Sequence, residues 1–211
     1  MMRLLTVLYR PTATFHELRA RPAWFSAFLV LAAISVVIFV LQYPGLLRAT
    51  LDHLPSVATE EDRARAEQWL RTDMVRRAAF LPARLLAGWS AFALLLLAGA
   101  RAFGPARGVR YAHLLSLEIH AESVLALGAA LAAAHAPGAG WLFSPGFGGS
   151  SLLTSVNLFT LWYVSLLIRG ISVLCDTSPR KAFLIVVLSW GIGQALNFGV
   201  LSLLQHTFRL G

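Results

Sequence analysis

Residues 24–43, WFSAFLVLAAISVVIFVLQY, are twenty consecutive residues without one charged side chain. A helix needs about 20 apolar residues to cross the roughly 30 Å hydrocarbon layer of a bilayer. A chain inside that layer must satisfy its backbone hydrogen bonds internally, and a helix does so. This stretch therefore predicts a membrane-spanning helix, and it decides the fold class.

The rest of the chain repeats this apolar pattern four times, over about 81–100, 111–134, 152–174 and 182–204. Together the five runs predict an all-α fold, with residues 1–211 forming a single membrane domain of five transmembrane helices. Charged residues make up only 13% of the chain and hydrophobic residues 57%, against about 25% charged in ordinary globular proteins. This composition excludes a soluble enzyme, a disordered tail and a disulfide scaffold, and Cys175 alone permits no internal disulfide.

Residues 1–22 are interpreted as an interfacial segment made of two short pieces broken at Pro11. The second piece opens with the capping-box spacing Thr14-Phe15-His16-Glu17, and Phe15 and Leu18 are expected to face the lipid surface. A merely solvated leader is the alternative. The first apolar run is too long and begins too late for a cleavable signal peptide.

The net charge of +8 is almost wholly arginine, because Lys181 is the sole lysine. These cations flank apolar runs, which favours a membrane surface over nucleic acid as the partner. Basic residues crowd the N-terminal segment and the second and fourth connections, while residues 136–151 have none. By the positive-inside rule the N-terminus lies in the cytoplasm and the C-terminus outside the inner membrane. The arginine-rich first connection, 44–80, disagrees with this topology.

That first connection contains a predicted charged helix over about 59–80. Thr59 is a good N-cap with Asp62 three residues on, and Glu67–Arg71 and Asp73–Arg77 are favourable i, i+4 pairs. We expect this helix to lie along the membrane surface as a lid, or else to be solvated.

Ionisable and amide side chains within the spans are candidate functional residues, because burying them in a membrane is costly. The predicted intramembrane polar network consists of Glu118, His120, Glu122, Asn157, Arg169, Gln194 and Asn197. Depth along the helices predicts that Glu118 pairs with Arg169, and Glu122 with Gln194 or Asn197. The network would either fix helix register or carry a proton or substrate.

No catalytic, cofactor or metal site is predicted. Glu118 and Glu122 share one helix face, whereas His113 and His120 share another, so one metal ion cannot bind both pairs. The string Glu60 to Arg65 fits the EExxxR pattern of intramembrane prenyl-type proteases but lacks their FxxxH partner. No GxSxG or Walker motif occurs, and we expect a non-enzymatic protein.

Small residues recur at a four-residue spacing that lets helices approach closely. They are Gly191, Ala195 and Gly199 on the fifth span, and Gly128 and Ala132 on the third. We expect packing there within the bundle or between copies in a homo-oligomer.

Several strings resemble the bacterial branch of the YIP family (Ypt-interacting proteins), which are five-span membrane proteins. They are RPTATF at 10–15, RPAW at 21–24, NLFTLW at 157–162, GIS at 170–172 and SPRKA at 178–182, followed by Trp190. The resemblance implies a helical bundle with a cytoplasmic N-terminus and no catalytic residues. For eukaryotic relatives, which carry a long cytoplasmic region before the first span, the resemblance implies binding of small GTPases and a role in vesicle traffic. This chain has only 23 residues before Trp24, so we do not expect GTPase binding here.

These observations predict a scaffold or accessory subunit that contacts the lipid bilayer and other membrane proteins, such as an ABC-type exporter. The alternative is a small transporter or lipid-handling protein that uses the acidic third span with Glu118 and Glu122. An intramembrane enzyme comes third.

Overall fold

The computed structural model describes residues 2–52, 59–103, 108–135 and 158–209, and in the last helix it describes the backbone alone beyond residue 196. Within these ranges the chain forms seven helices and no strand, so the predicted all-α fold is confirmed. The helices are α1 Met2–Tyr9, α2 Pro11–Ala20, α3 Trp24–Asp52, α4 Glu60–Phe103, α5 Tyr111–His135, α6 Leu158–Leu174 and α7 Pro179–Arg209.

Three helices of the described chain are long and apolar enough to cross a membrane. They are α3, α4 and α5, the last over Tyr111–Ala134. Helix α6 is also apolar, but its described part has only 17 residues. Apolar helices of this length indicate an integral membrane protein, whereas the count of five spans stays a prediction.

Helix α5 is the central helix of the bundle, with α1, α3, α4 and α6 packed around it. Every residue from 114 to 121 is buried, so no face of α5 is open at that level. Helix α7 packs instead against α4 and α6.

Buried side chains follow the helical period on α4 and α6, two of the helices that pack on α5. On α4 they are Trp89, Phe92, Ala93, Leu96, Leu97 and Ala100, and on α6 they are Tyr163, Leu166, Leu167, Gly170, Ile171 and Leu174. Both sets follow the i, i+3, i+4, i+7 spacing of one helix face. The ring of Trp89 packs edge-to-face on Phe28 of α3, with 6.1 Å between the ring centroids.

The N-terminal helices belong to the protein core, which corrects the expectation that they present Phe15 and Leu18 to lipid. Both side chains are fully buried, because α2 packs on α5 and α6 while α1 packs on α2 and α5. The predicted break at Pro11 is present, but α2 begins at Pro11 itself rather than at Thr14. Proline suits the first helical position because its missing N–H would have no partner there.

The first connection is a helical hairpin, not a loop with a separate surface helix. Helix α3 continues through Pro44 to Asp52, and α4 runs unbroken from Glu60 through the second apolar run to Phe103. Helix α4 has 44 residues against 25 in α5, a difference of about 28 Å at 1.5 Å per residue. Because a short connection joins α4 to the start of α5, the extra length projects at the far end of the bundle.

Local interactions in the hairpin agree with the sequence prediction. The Thr59 hydroxyl and backbone N–H both donate to Asp62 Oδ2, at 2.7 Å and 3.0 Å, and the Asp62 N–H donates back to the hydroxyl at 3.2 Å. These contacts form the predicted capping box. The Glu67–Arg71 pair, at 2.6 Å, and the Asp73–Arg77 pair are also present.

Candidate functional site

The candidate site is a carboxyl pair on α5, formed by the buried Glu118 and by Glu122 one turn later. The Tyr163 hydroxyl of α6 donates a hydrogen bond to Glu118 Oε1 over 2.7 Å. Glu118 is only 2% exposed, and its other oxygen, Oε2, is buried without a hydrogen-bond partner among the described residues. A buried polar atom that loses water without gaining a partner costs free energy, so such an atom calls for a chemical explanation.

The predicted ion pair between Glu118 and Arg169 is wrong within the described structure. Two glycine contacts fix the register of α5 against α6: Gly170 lies against Leu117, and Gly128 lies against Phe159. The two contacts are eleven residues apart along α5 and eleven along α6, in opposite directions, so the helices are antiparallel. In that register Arg169 does lie level with Glu118. However, Arg169 lies about 130° around the helix from the middle of the buried face of α6, and its side chain is exposed.

Glu122 lies one turn after Glu118 and is partly exposed. The indole of Trp89 on α4 lies beside it. The predicted partner Gln194 does not reach it, because its helix, α7, packs on α4 and α6 rather than on α5. Next to Gln194, Gly193 faces Leu95 of α4. The side chain of Asn197, the other predicted partner, and all of Asn157 lie outside the described residues.

His120 is buried on a different face of α5 from the two glutamates. Its Nδ1 lies 2.7 Å from the Ser116 carbonyl oxygen of the preceding turn. Arg3 on α1 interacts electrostatically with this ring, and α1 packs on α5. His120 therefore belongs to the contact between α1 and α5 rather than to the carboxyl pair.

The predicted small-residue positions divide into packed and exposed ones. A Cβ atom added to Gly128 would lie 2.7 Å from Cγ of Phe159, and Ala132 is buried. On α7, Gly191 has no neighbour within 4 Å of such an atom and Ala195 is exposed, so they do not pack within the bundle. The surroundings of Gly199 lie outside the described side chains.

Sequence reasoning missed Tyr163, Trp89 and Gly170, although a signal for them exists. Tyr163 and Gly170 are seven residues apart on the buried stripe of α6, and Trp89 begins the buried stripe of α4. A helical-period analysis of each span would have placed Tyr163 toward α5 and Arg169 away from it.

The hairpin holds a second cluster, outside the membrane-spanning segments, around Asp73. The hydrogen bond from Arg76, together with Arg77, holds the pKa of Asp73 below its ordinary value, although burial acts in the opposite direction. Tyr43 of α3 lies near this carboxylate. Both ion-pair partners of Asp73 lie on α4 itself, so the cluster marks the place where this helix meets Tyr43 of α3.

The carboxyl pair on α5 can hold a proton or contribute polar atoms to a ligand. No group of three or more His, Cys, Asp and Glu side chains in the described ranges could hold a metal ion.

Comparison with known proteins identifies the family. A family model described as the Yip1 domain matches residues 5–200, which extend from α1 into α7. Neither the curated proteins nor the solved structures compared with the chain gave a match. The match covers more than half of the sequence and agrees with the resemblance seen in its motifs, so the chain belongs to the Yip1 family of membrane proteins.

Proposed function

We propose that this chain is a non-enzymatic scaffold or accessory subunit that binds other membrane proteins in a bacterial inner membrane. The observation that supports the proposal is the α3–α4 hairpin. Its α4 arm is one continuous helix that is about 28 Å longer than α5. A helical projection of this kind offers a partner a preformed surface at little cost in ordering entropy.

The exposed face of the hairpin has the composition of a protein-binding surface. Trp69, Arg76 and Phe80 lie at i, i+7 and i+11 on α4, and all three are exposed, Trp69 by 60%. Tryptophan and arginine are the residues that most often dominate binding energy at interfaces. The arginine charges of the hairpin are partly balanced along the same helix by Glu61, Glu67 and Asp73, which favours a mixed apolar and polar partner over a strongly acidic one.

The proposed topology has five spans, with the N-terminus in the cytoplasm and the C-terminus outside. In this arrangement the hairpin, which joins the first and second spans, stands on the outer face of the membrane. An ABC-type exporter with an external domain is the class of partner that we propose. A second copy of the chain is the competing partner.

Purification from native membranes in a mild detergent, followed by mass spectrometry, tests this function. The hairpin variant combines Trp69→Ala with Phe80→Ala. The matched control is Leu161→Ala, on an exposed position of α6. We expect a stoichiometric companion with the wild type and the control, and its loss from the hairpin variant.

Two results would contradict the proposal. One is that the wild-type chain purifies alone or only with itself. The other is that the companion stays bound when Trp69 and Phe80 are both replaced. Thermal unfolding of each purified variant shows that a lost companion does not reflect a lost fold.

A second candidate function is a small transporter or lipid-handling protein. The observation that favours it is the unpartnered Oε2 of Glu118 beside Glu122, since an intramembrane carboxyl group can bind a transported ion or ligand. Glu122→Gln should then abolish transport or lipid binding while the chain remains folded. An unchanged companion in the purification of that same variant would separate this function from the scaffold role.

A further inference from the structure

We propose that Glu118 is a proton-binding site, at which the carboxyl group stays protonated at neutral pH between α5 and α6. The proposal goes beyond the scaffold role and does not require a partner protein. Its ligand is a proton, held on a carboxyl oxygen that the bundle encloses. Tyr163 is the positioning residue, because it binds the other oxygen of the same group.

The geometry of Glu118 does not suit a negative charge. A carboxylate has about four lone-pair sites for donors, and from the described residues this one receives a single hydrogen bond, from the Tyr163 hydroxyl at 2.7 Å. Oε2 is buried and accepts from no described residue. A buried charge that lacks a partner is so costly that the group becomes neutral instead.

No cation compensates the carboxyl pair within the described part of the chain. Among the described side chains, no arginine, lysine or histidine nitrogen lies within 4.0 Å of Glu118 or Glu122, and the ion pairs present join Glu17, Glu61, Glu67 and Asp73 to arginines. Each of these four carboxylates has the counter-charge that the α5 pair lacks.

The side chains that face Glu118 and Glu122 from neighbouring helices are neutral, and the arginines of α1 and α2 have other partners. Tyr163 faces the pair from α6 and Trp89 from α4. Helix α3 has no charged residue before Arg48, which lies in the hairpin. Arg3 of α1 is paired with Glu17 of α2 and interacts with His120, on another face of α5. Arg19 of α2 donates to the Val173 carbonyl.

Glu122 strengthens the inference because two carboxylates one turn apart repel each other. Side chains at i and i+4 have Cβ atoms about 5–6 Å apart, and like charges at that distance in a poorly solvated site do not both ionise. The pair therefore retains at least one proton. Glu118 is the more deeply buried member, so the proton is assigned to it.

A chemical consequence follows for the contact between α5 and α6. With Oε2 protonated, the Tyr163 hydroxyl donates to the carbonyl oxygen Oε1, and the contact between the two helices carries no charge. Release of the proton would place an anion inside this contact. The packing of α5 against α6 is then sensitive to pH on the alkaline side.

Infrared spectroscopy of the protein in lipid vesicles tests the assignment directly. A protonated carboxyl group has a carbonyl stretching band separate from the amide bands, and the band shifts in heavy water. We expect this band in the wild type at neutral pH and a fall of at least half in its area in Glu118→Gln. The matched control, Glu17→Gln, removes an exposed carboxylate paired with Arg3 and should leave the band unchanged.

A second variant keeps the proposal testable if Glu118→Gln does not fold. Tyr163→Phe removes the donor to Oε1, so the carbonyl band of Glu118 should move to higher frequency. A wild-type protein without the band at neutral pH would overturn the proposal, as would a band whose area is unchanged in Glu118→Gln. A band that Tyr163→Phe does not shift would also overturn it, because the protonated group would then lie elsewhere.

Discussion

Leu117 of α5 occupies the space that any side chain at Gly170 of α6 would need. A Cβ atom at Gly170 would lie 2.1 Å from Leu117 Cδ1 and 2.9 Å from Cδ2. The glycine lets the two helices approach closely, and it lies seven residues after Tyr163, while Leu117 directly precedes Glu118. The packing contact and the polar contact therefore depend on the same helix separation.

Gly170→Ala should destabilise the protein. The added methyl group must displace Leu117, which is itself fully buried, and overpacking of this kind costs about 1–3 kcal/mol. The measurement is thermal or denaturant unfolding in mixed micelles. Gly191→Ala is the matched control, because nothing lies within 4 Å of its added atom, and alanine in a helix is favoured by up to about 1 kcal/mol. Equal stability of the two variants would show that the helices are not in close contact at Gly170.

The fold could be predicted because membrane spans have a strong sequence signal. Apolar runs at 24–43, 81–100 and 111–134 correspond to α3, α4 and α5. What failed was the treatment of polar stretches as helix ends: the segments after Pro44 and before Pro82 continue as helix. The second segment is stabilised locally by the Thr59–Asp62 capping box and by i, i+4 ion pairs. Composition alone does not show that a charged segment extends a span.

The candidate site was predicted in part for a related reason. Glu118 and Glu122 stand out because charge inside a span is rare. The partner of Glu118 was missed because charge complementarity favoured Arg169, whereas the helical phase of α6 turns Tyr163 toward α5. The depth of a residue along a helix follows from its residue number. The helix face on which it lies can be predicted only together with the spacing of the neighbouring apolar residues.

Thr59→Ala should raise the pKa of Asp62 toward its ordinary value. The hydrogen bonds from the Thr59 hydroxyl and backbone N–H hold this pKa below its usual range. They therefore stabilise the start of α4 above the ordinary carboxyl pKa, and the stabilisation is lost as the pH falls through the lowered value. An NMR titration of the Asp62 side chain measures the shift. Thr72→Ala, which removes a hydroxyl bonded to the Gln68 carbonyl, should leave that titration unchanged. An unaltered pKa of Asp62 in Thr59→Ala would contradict the capping box.

Asp73→Asn should loosen the hairpin. This carboxylate is buried and pairs with Arg76 and Arg77, so the neutral amide removes both ion pairs at the place where α4 meets Tyr43 of α3. We expect faster proteolysis within residues 44–80 than in the wild type. The lowered pKa of Asp73 predicts the same loosening in acid, since its stabilisation disappears as the pH falls through that lowered pKa.

Glu67→Gln is the control for Asp73→Asn, because it removes an exposed i, i+4 pair with Arg71, and such pairs contribute only about 0.2–0.5 kcal/mol. If both variants were cleaved at the wild-type rate, Asp73 would have no special role in joining the two arms.

Phe15→Ala should destabilise the whole bundle, although residue 15 lies in the short N-terminal segment. Its ring is 0% exposed and packs in the core with Leu18, and truncating a buried phenylalanine costs about 3–5 kcal/mol. If α2 were only a lipid anchor, the same change would weaken membrane contact and leave the unfolding of α3–α7 unaltered. Unfolding in detergent separates the two cases, because no bilayer is present to be anchored to. Leu5→Ala is the matched control: Leu5 is 62% exposed on α1 and should cost little. If the Phe15→Ala bundle proved as stable as the Leu5→Ala bundle, the N-terminal helices would belong at the membrane surface after all.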